Sequence, residues 1–303
     1  MKLGLVSAIL ADYSFEEVMS FAGELGFSCI ELMSWPVGRA ERRYAGVTHV
    51  DAGMMDAAAI EHIKQTAAKN SLEISGLGYY PNALDSNAET REVSIEHIKK
   101  VITAAAKLGV PVVNTFIGRD KDKNIEDNLV LFKEIWPSII RHAETENVKV
   151  AIENCPMLFT ADEWPGGKNL ATTPAIWRRM FEEIKSEYFG LNYDPSHFVW
   201  QQMDYIKPIR EFKDKIFHVH IKDAKIIKPD LDETGILATP LKYHKPKLPG
   251  LGDVDWGKFI SALTDVGYKG ACCIEVEDKA FEDSLEDIKR SIIISKRFME
   301  QYL

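Results

Sequence analysis

The chain has 303 residues, of which 46% are hydrophobic and 27% are charged. This composition is typical of a globular protein and argues against a disordered, collagenous or coiled-coil chain. Its 37 basic and 46 acidic side chains give a formal net charge of −9. Nucleic acid and anionic membranes are therefore not expected as partners, because binding to polyanions depends on clustered Lys and Arg.

The cysteines and the N-terminus bear on the compartment. Cys29, Cys155, Cys272 and Cys273 have no regular spacing, which predicts reduced thiols in a cytoplasmic protein and not a disulfide framework. The first ten residues, MKLGLVSAIL, could serve as a short signal peptide, but we favour a buried first strand. No run reaches the roughly 18 apolar residues of a membrane-spanning helix.

Short apolar runs alternate along the chain with longer stretches of helical periodicity. The predicted strands are residues 3–8, 29–33, 73–79, 112–117, 149–154, 189–194, 216–222 and 271–276. The predicted helices lie near residues 14–25, 56–69, 88–108, 126–146, 173–186, 203–213, 256–267 and 282–302. Eight such units without a linker predict an α/β fold, a single (β/α)8 TIM barrel domain over residues 1–303. An open doubly wound sheet is disfavoured, because no glycine-rich loop follows the first strand.

One segment departs from this alternation. Residues 224–255 are rich in Pro, Gly and Lys and lack clean periodicity. We expect a long loop over the active-site face, because loops of this length in compact domains commonly act as lids or binding loops. A surface insertion without a role is the alternative.

Ionisable residues stand near the ends of the last four predicted strands. In such a barrel the chemistry lies at the C-terminal ends of the strands. Carboxylates that converge there repel one another unless a cation lies between them. We therefore predict one divalent metal ion held by Glu153, Asp194, His220 and Glu275. Carboxylates with a single imidazole favour Mn²⁺, and Mg²⁺, Co²⁺ and Zn²⁺ are the alternatives.

Strand parity does not choose within two of these strands, because residues two apart point the same way. His218 lies deeper than His220, so we expect His218 to support the site from behind and His220 to bind the metal. Glu275 ends an apolar run, whereas Glu277 begins an acidic loop. We therefore prefer Glu275 as the ligand.

Such a site suits a substrate with a carbonyl beside a hydroxyl-bearing carbon. The metal would stabilise an enediolate, while Glu153 and Glu275 remove and return a proton as base and acid. Epimerisation, isomerisation and elimination are all compatible with this constellation. Further substrate contacts are predicted at His197, Lys222, Trp35, His49, Tyr79 and Asn114. The alternatives are packing behind the site for His197 and Lys222, barrel packing for the aromatic residues and a surface position for His49. Asp223 is expected to orient Lys222 or a ligand histidine.

Five segments carry a family resemblance: IEN at 152–154, NYDPSH at 192–197, HVHIKD at 218–223, PGLGDVDW at 249–256 and IEVE at 274–277. In their order and spacing the chain resembles the sugar phosphate isomerase/epimerase group of xylose-isomerase-like TIM barrels. That group includes ketose 3-epimerases, inosose dehydratases and hydroxypyruvate isomerases. The resemblance implies metal ligands at Glu153, Asp194, His220 and Glu275, a substrate contact at His197, and a small carbohydrate as substrate. Assembly into a homo-oligomer is left open.

The chain also departs from the ketose 3-epimerases. Their second glutamate and their arginine, both sugar contacts, are replaced here by Phe159 and Ile226. Segments 31–50 and 76–85 instead resemble a branch with members that act on keto-glycosides. The main alternative to an epimerase or isomerase is thus a metal-dependent lyase acting on a 3-keto-glycoside or an inosose. An apurinic endonuclease-like enzyme and a non-catalytic metal- or sugar-binding protein are more remote alternatives.

Overall fold

A computed structural model describes residues 1–38 and 45–303. Within these residues, parallel strands close into an eight-stranded barrel, in which the first strand, Lys2–Val6, pairs with both Cys29–Met33 and Ala271–Ile274. The barrel strands are β1 (Lys2–Val6), β2 (Cys29–Met33), β3 (Glu73–Gly78), β4 (Val112–Thr115), β5 (Lys149–Glu153), β6 (Phe189–Tyr193), β7 (Ile216–Ile221) and β10 (Ala271–Ile274). This closed barrel confirms the predicted (β/α)8 fold.

Helices connect the strands and surround the barrel. They are α1 (Phe15–Glu24), α2 (Ala57–Lys69), α3 (Ala88–Leu108), α4 (Ile125–Glu146), α5 (Pro174–Glu183), α6 (Ser196–Val199), α7 (Lys207–Glu211), α8 (Lys228–Thr234), α9 (Trp256–Asp265) and α10 (Leu285–Met299). The helices bury apolar faces against the strands. Phe132 and Trp136 of α4, for example, stack on Phe189 of β6 with ring centroids 6.1 Å apart in each pair.

Local sequence signals account for several helix ends. Ser14 and Glu17 form a capping box at the start of α1, which satisfies backbone N–H groups that the helix leaves unpaired. α3 ends at Gly109, whose φ of 76° lies in the left-handed region that favours glycine. Both ends lie where Ser14 and Gly109 predict them.

The region predicted as an irregular loop at 224–255 is more ordered than expected. An antiparallel hairpin is formed by β8 (Asp223–Ile226), which begins one residue before this region, and β9 (His244–Lys247). The short helix α8 lies between these strands. The segment predicted as a long loop thus has short regular elements of its own, and its place over the active-site face stays a prediction. The hairpin has two strands of four residues and Pro246 in β9, so it shows none of the long apolar alternation by which strands are recognised.

Helix α7 is shorter than the predicted 203–213. The side chain of Asp204 accepts hydrogen bonds from the backbone of Ile206 and Lys207, and this turn occupies the residues before the helix. Pro208 then stands in the first turn of α7, where its missing N–H costs nothing. Residues 39–44, which belong to the family-like segment 31–50, lie outside the described residues.

The structure also bears on disulfides and membrane helices. All four cysteines are free thiols, and three of them are buried. In the part of the chain that the structure describes, no helix is both long enough and apolar enough to span a bilayer.

Candidate metal centre and active site

The C-terminal ends of four neighbouring strands bring the predicted metal ligands together. Glu153 is the last residue of β5, and Asp194 directly follows β6. His220 lies near the end of β7, where its backbone pairs with Cys273 of β10, and Glu275 follows β10. Nδ1 of His220 lies 3.3 Å from Glu275 Oε2 and 3.7 Å from Glu153 Oε2. These three residues can offer ligand atoms that all lie within 4.8 Å of one another.

Hydrogen bonds between Asn154 and Asp194 hold the ends of β5 and β6 together. Asn154 donates to the backbone carbonyl of Asp194 at 2.9 Å and accepts from its backbone N–H at 2.8 Å. Asp194 Oδ1 accepts from the backbone of Ser196 at 2.8 Å. The other carboxylate oxygen of Asp194 is therefore left to face the cluster.

Buried polar atoms at this point lack hydrogen bonds. Among the described residues, the set that faces the cluster comprises Glu153 Oε1, Asp194 Oδ2, His197 Nε2, His220 Nδ1 and Glu275 Oε2. These atoms lie at ion-pair distance from Lys222 or from one another. An unsatisfied buried polar atom costs about 1 to 3 kcal/mol, so a cation bound among them would satisfy atoms that make no hydrogen bond within the protein. Four of the five are carboxylate oxygens or a ring nitrogen of the predicted metal ligands, and this donor set fits one divalent cation.

Lys222 places a positive charge inside the same cluster. Its buried ammonium lies 2.8 Å from Glu275, 3.3 Å from Asp194 and 3.9 Å from Glu153. It also lies 3.6 Å from Glu277. Burial alone would lower the pKa of Lys222, but the surrounding carboxylates raise it well above its usual range. Without a bound metal ion, Lys222 is therefore a cation within the carboxylate cluster.

His197 faces the carboxylates from helix α6. Its Nε2 lies 3.1 Å from Asp194 Oδ2 and 3.4 Å from Glu153 Oε1. The indole N–H of Trp200 donates to Nδ1 at 3.4 Å, and because an indole nitrogen can only donate, the ring proton of neutral His197 lies on Nε2. Burial lowers the pKa of His197, but the net effect, with Cys155 and Asp194 nearby, is to raise it well above its usual range.

A second layer of polar groups lies beneath the cluster, and the sequence analysis missed most of it. Glu31 of β2 is fully buried and contacts His220 and the hydroxyl of Tyr80. The amide of Asn192 in β6 donates to the same hydroxyl at 3.3 Å. The signal for Glu31 was available, since it is a carboxylate in the middle of the apolar run CIELM.

His218 occupies the deeper position expected from the strand. Its Nδ1 lies 3.1 Å from Asn192 Oδ1, and its Nε2 lies 3.3 Å from Ser75 Oγ. Burial lowers the pKa of His218 to about 4, so the ring is neutral at pH 7. For His220, burial also lowers the pKa, but the charges of Glu31 and Glu275 raise it well above its usual range. The two histidines therefore occupy different electrostatic environments.

The predicted substrate-contacting residues fall into two groups. His197 and Lys222 lie within the cluster. Trp35 and Tyr79 instead pack edge to face at 4.9 Å, and Tyr79 contacts His97 at 4.6 Å. Asn114 is fully buried in β4, and its side-chain amide makes no hydrogen bond with any described residue.

His49 and Asp223 make contacts other than those predicted. Nδ1 of His49 lies 2.9 Å from Ser7 Oγ, and Nε2 lies 3.2 Å from the carbonyl oxygen of Leu10. Both ring nitrogens therefore contact the segment that follows β1. Asp223 was expected to orient Lys222 or a ligand histidine, but its carboxylate accepts from Trp256 Nε1 at 2.9 Å. It also accepts from three backbone N–H groups, those of Ala224, Gly250 and Val254. Asp223 therefore fastens the base of the hairpin.

A groove of about 540 Å³ is lined by Trp200 but by none of the residues of the carboxylate cluster. Its walls include Trp164, Trp200, Tyr243 and Arg119. Trp200 connects the groove to the cluster through its hydrogen bond to His197. The volume and the mixture of aromatic and charged walls suit a small polar organic ligand.

Comparison with known proteins identifies the family of this chain and several relatives. A family model described as "Xylose isomerase-like TIM barrel" matches residues 19–298. The uncharacterized protein YfiH of Bacillus subtilis is 26% identical over 96% of this chain and 99% of its own length. An inosose dehydratase of Clostridium perfringens strain 13 is 23% identical over 82% of this chain and 84% of its own length.

Solved structures superpose on nearly the whole chain. The IOLI protein with a bound zinc atom gives a TM-score of 0.73 at 16% identity, covering 100% of this chain and 99% of that one. The 3-keto-D-glucoside 4-epimerase YcjR of E. coli gives 0.70 at 16% identity, covering 98% of this chain and 99% of the other. At such identities the likeness establishes the fold alone.

Proposed function

The chain belongs to the xylose isomerase-like TIM barrel family, and from that premise we propose that it is a divalent-metal-dependent enzyme that epimerises or isomerises a keto-sugar or a keto-sugar derivative through an enediolate. The observation that carries the proposal is the convergence of buried atoms without hydrogen bonds on Glu153, Asp194, His220 and Glu275. A cation bound there would act as a Lewis acid toward adjacent carbonyl and hydroxyl oxygens of the substrate. Mn²⁺ is our first choice, because the donors are mainly carboxylates.

Glu153 and Glu275 are the proposed proton carriers. They approach His220 Nδ1 from β5 and β10, so that a substrate carbon between them could lose a proton to one and regain it from the other on the opposite face. That sequence inverts a stereocentre. Return of the proton to the neighbouring carbon gives aldose–ketose isomerisation instead.

His197 and Lys222 are proposed to stabilise the negative charge of the enediolate. The Nε2–H of His197 and the ammonium of Lys222 both face the carboxylate cluster. Each can donate to a substrate oxygen as charge develops on it, and such preorganised donors contribute most in a buried site. A small carbohydrate is the proposed substrate, with the groove beside Trp200 providing room for it.

Elimination is the second candidate. The inosose dehydratase of Clostridium perfringens aligns with most of the chain. Phe159 and Ile226 also stand where ketose 3-epimerases place sugar contacts, so free ketohexoses are not the favoured substrates. The same base could remove the proton while a leaving group departs from the adjacent carbon. This candidate changes the fate of the intermediate and leaves the proposed roles of the residues unchanged.

Solvent isotope incorporation separates these outcomes. The Mn²⁺-loaded protein would be incubated in D₂O with free keto-sugars, 3-keto-glycosides and inososes, and the products analysed by NMR and mass spectrometry. Deuterium at a carbon beside the carbonyl, without loss of water or aglycone, supports epimerisation or isomerisation. Release of water or aglycone supports elimination. Sugar binding without exchange or release on the whole panel would favour a binding protein and contradict the proposal.

A further inference from the structure

Glu31 is a buried carboxylate that no role in the proposed chemistry uses. It is 0% exposed within β2. Its Oε2 lies 2.8 Å from His220 Nε2, and the hydroxyl of Tyr80 donates to Oε1 at 2.5 Å. A Cβ at Gly78 would lie 2.5 Å from Glu31 Oε1, so glycine at this position of β3 leaves room for the carboxylate.

These contacts determine which nitrogen of His220 faces the metal site. Two groups contact Nε2: Glu31 Oε2 at 2.8 Å and the amide nitrogen of Asn192 at 3.0 Å. The carboxylate is the closer partner and, when ionised, it can only accept, so His220 carries a proton on Nε2. Nδ1 is then the nitrogen directed toward Glu153 and Glu275, and it makes no hydrogen bond of its own. A metal ion that binds there would replace any proton on Nδ1. A metal-binding histidine commonly donates its other N–H to a carboxylate, which fixes both tautomer and ring orientation.

We propose that Glu31 is a positioning residue of the metal centre, which holds the His220 ring so that Nδ1 is presented to a divalent cation. The inference rests on the proposed metal site, and it assigns the control of cation affinity to a residue that does not touch the cation. Glu31 acts entirely through His220. The competing explanation is that Glu31 only supports the barrel interior through Tyr80 and His218, which lies 3.7 Å away.

Metal affinity of the full-length protein distinguishes the two explanations. Metal-free protein would be titrated with Mn²⁺ and the free ion followed by electron paramagnetic resonance. Glu31→Gln keeps the shape of the side chain, but its amide can donate as well as accept and no longer selects one tautomer. We expect Mn²⁺ to bind about 10- to 100-fold more weakly to this variant. Glu73→Gln is the matched control, because Glu73 is an exposed carboxylate of the neighbouring strand, where it pairs with Lys2. This variant should bind Mn²⁺ with the affinity of wild type.

A second variant and a double-mutant cycle keep the test decisive. Glu31→Asp retains the carboxylate but shortens its reach, so its affinity should lie between those of wild type and Glu31→Gln. It replaces Glu31→Gln if the latter does not fold, as judged by the melting temperature of the metal-free protein. In a His220→Ala background, the same Glu31 substitution should change Mn²⁺ affinity by less than about twofold, because its effect passes through that ring.

The results separate this inference from the proposed function. Wild-type affinity in a folded Glu31 variant, or an undiminished Glu31 effect without His220, would overturn the positioning role while leaving the metal site intact. A wild-type protein that binds no divalent cation would overturn both.

Discussion

Lys222 Nζ lies 2.8 Å from Glu275 Oε2, so a cation belonging to the chain itself is already present within the carboxylate cluster. Asp194 and Glu153 lie within 4 Å of the same ammonium. Without a metal, Lys222 offsets the repulsion among these carboxylates together with His197 and His220, whose pKa values are also raised. Its contribution to stability should therefore depend on whether a divalent cation is bound.

We predict that Lys222→Met lowers the free energy of unfolding of the metal-free protein by about 3 kcal/mol, because removal of one partner leaves buried charges uncompensated. Saturating Mn²⁺ should reduce this loss by at least half. Urea unfolding with chelator and with Mn²⁺ provides the measurement. Lys247→Met is the control, since Lys247 pairs with the buried Asp278 at 3.0 Å. The free energy of unfolding that this variant loses should be the same with and without Mn²⁺. An equal loss for Lys222→Met in both conditions would count against the prediction.

Glu153→Gln should abolish proton exchange on any keto-sugar that the wild-type protein exchanges. Glu153 is 2% exposed and is proposed both to bind the metal and to move the proton, so we expect a loss of at least about 10³-fold, within the usual range for a general base. Deuterium incorporation measured by NMR checks it. Glu61→Gln, on the exposed face of α2, should exchange at the wild-type rate. Normal exchange in Glu153→Gln would refute the acid/base role.

Asp223→Asn should loosen the hairpin without weakening metal binding. The carboxylate accepts four hydrogen bonds from the hairpin, the following loop and Trp256, and the amide offers an N–H group to donors. We expect a loss of about 2 kcal/mol in stability and faster proteolysis between residues 224 and 255. Asp253→Asn, which affects a single backbone hydrogen bond to Ile226, should show a smaller effect. A proteolysis rate unchanged from wild type would contradict the role of Asp223.

His244 should make the protein less stable in mild acid. Burial lowers its pKa from 6.5 to about 4, and the nearby His197 and Lys222 also lower it. As the pH falls the unfolded chain therefore takes up this proton before the folded chain does, so stability present at pH 7 is lost between about pH 6.5 and pH 4. Between pH 7 and pH 5, we expect the free energy of unfolding of His244→Asn to fall by about 1 to 2 kcal/mol less than that of wild type. Urea unfolding at several pH values provides the measurement, and an equal fall in both proteins would disprove this contribution.

The barrel could be predicted because its parts are local. Each parallel strand is buried on both faces and is therefore an apolar run, and helices such as α1 carry their own signals at Ser14 and Glu17. The hairpin β8–β9 could not be predicted in this way. Its pairing joins Asp223 to Lys247 across an insertion, and short polar strands leave no periodic pattern.

The candidate site was only partly accessible from the sequence. The sequence predicted a cluster at the C-terminal ends of four strands, because the strand ends of a barrel lie together on one face independently of the loops. The residues of this cluster are Glu153, Asp194, His220 and Glu275. Glu31 was missed because it approaches from the other side of the barrel interior, and its contact with His220 joins residues 189 positions apart. His49 was predicted to contact substrate, and Asp223 to orient Lys222 or a ligand histidine, on chain position alone. Hydrogen bonds to neighbouring loops determine what each contacts.

The central claim is that one divalent cation is bound by Glu153, Asp194, His220 and Glu275. Anomalous diffraction from crystals grown with Mn²⁺, collected on both sides of the manganese absorption edge, tests it most directly. We predict one strong peak within bonding distance of side-chain atoms from all four residues, and no such peak in crystals of Asp194→Asn. A map without a peak among these residues, or with the ion bound only at other side chains, would contradict the account.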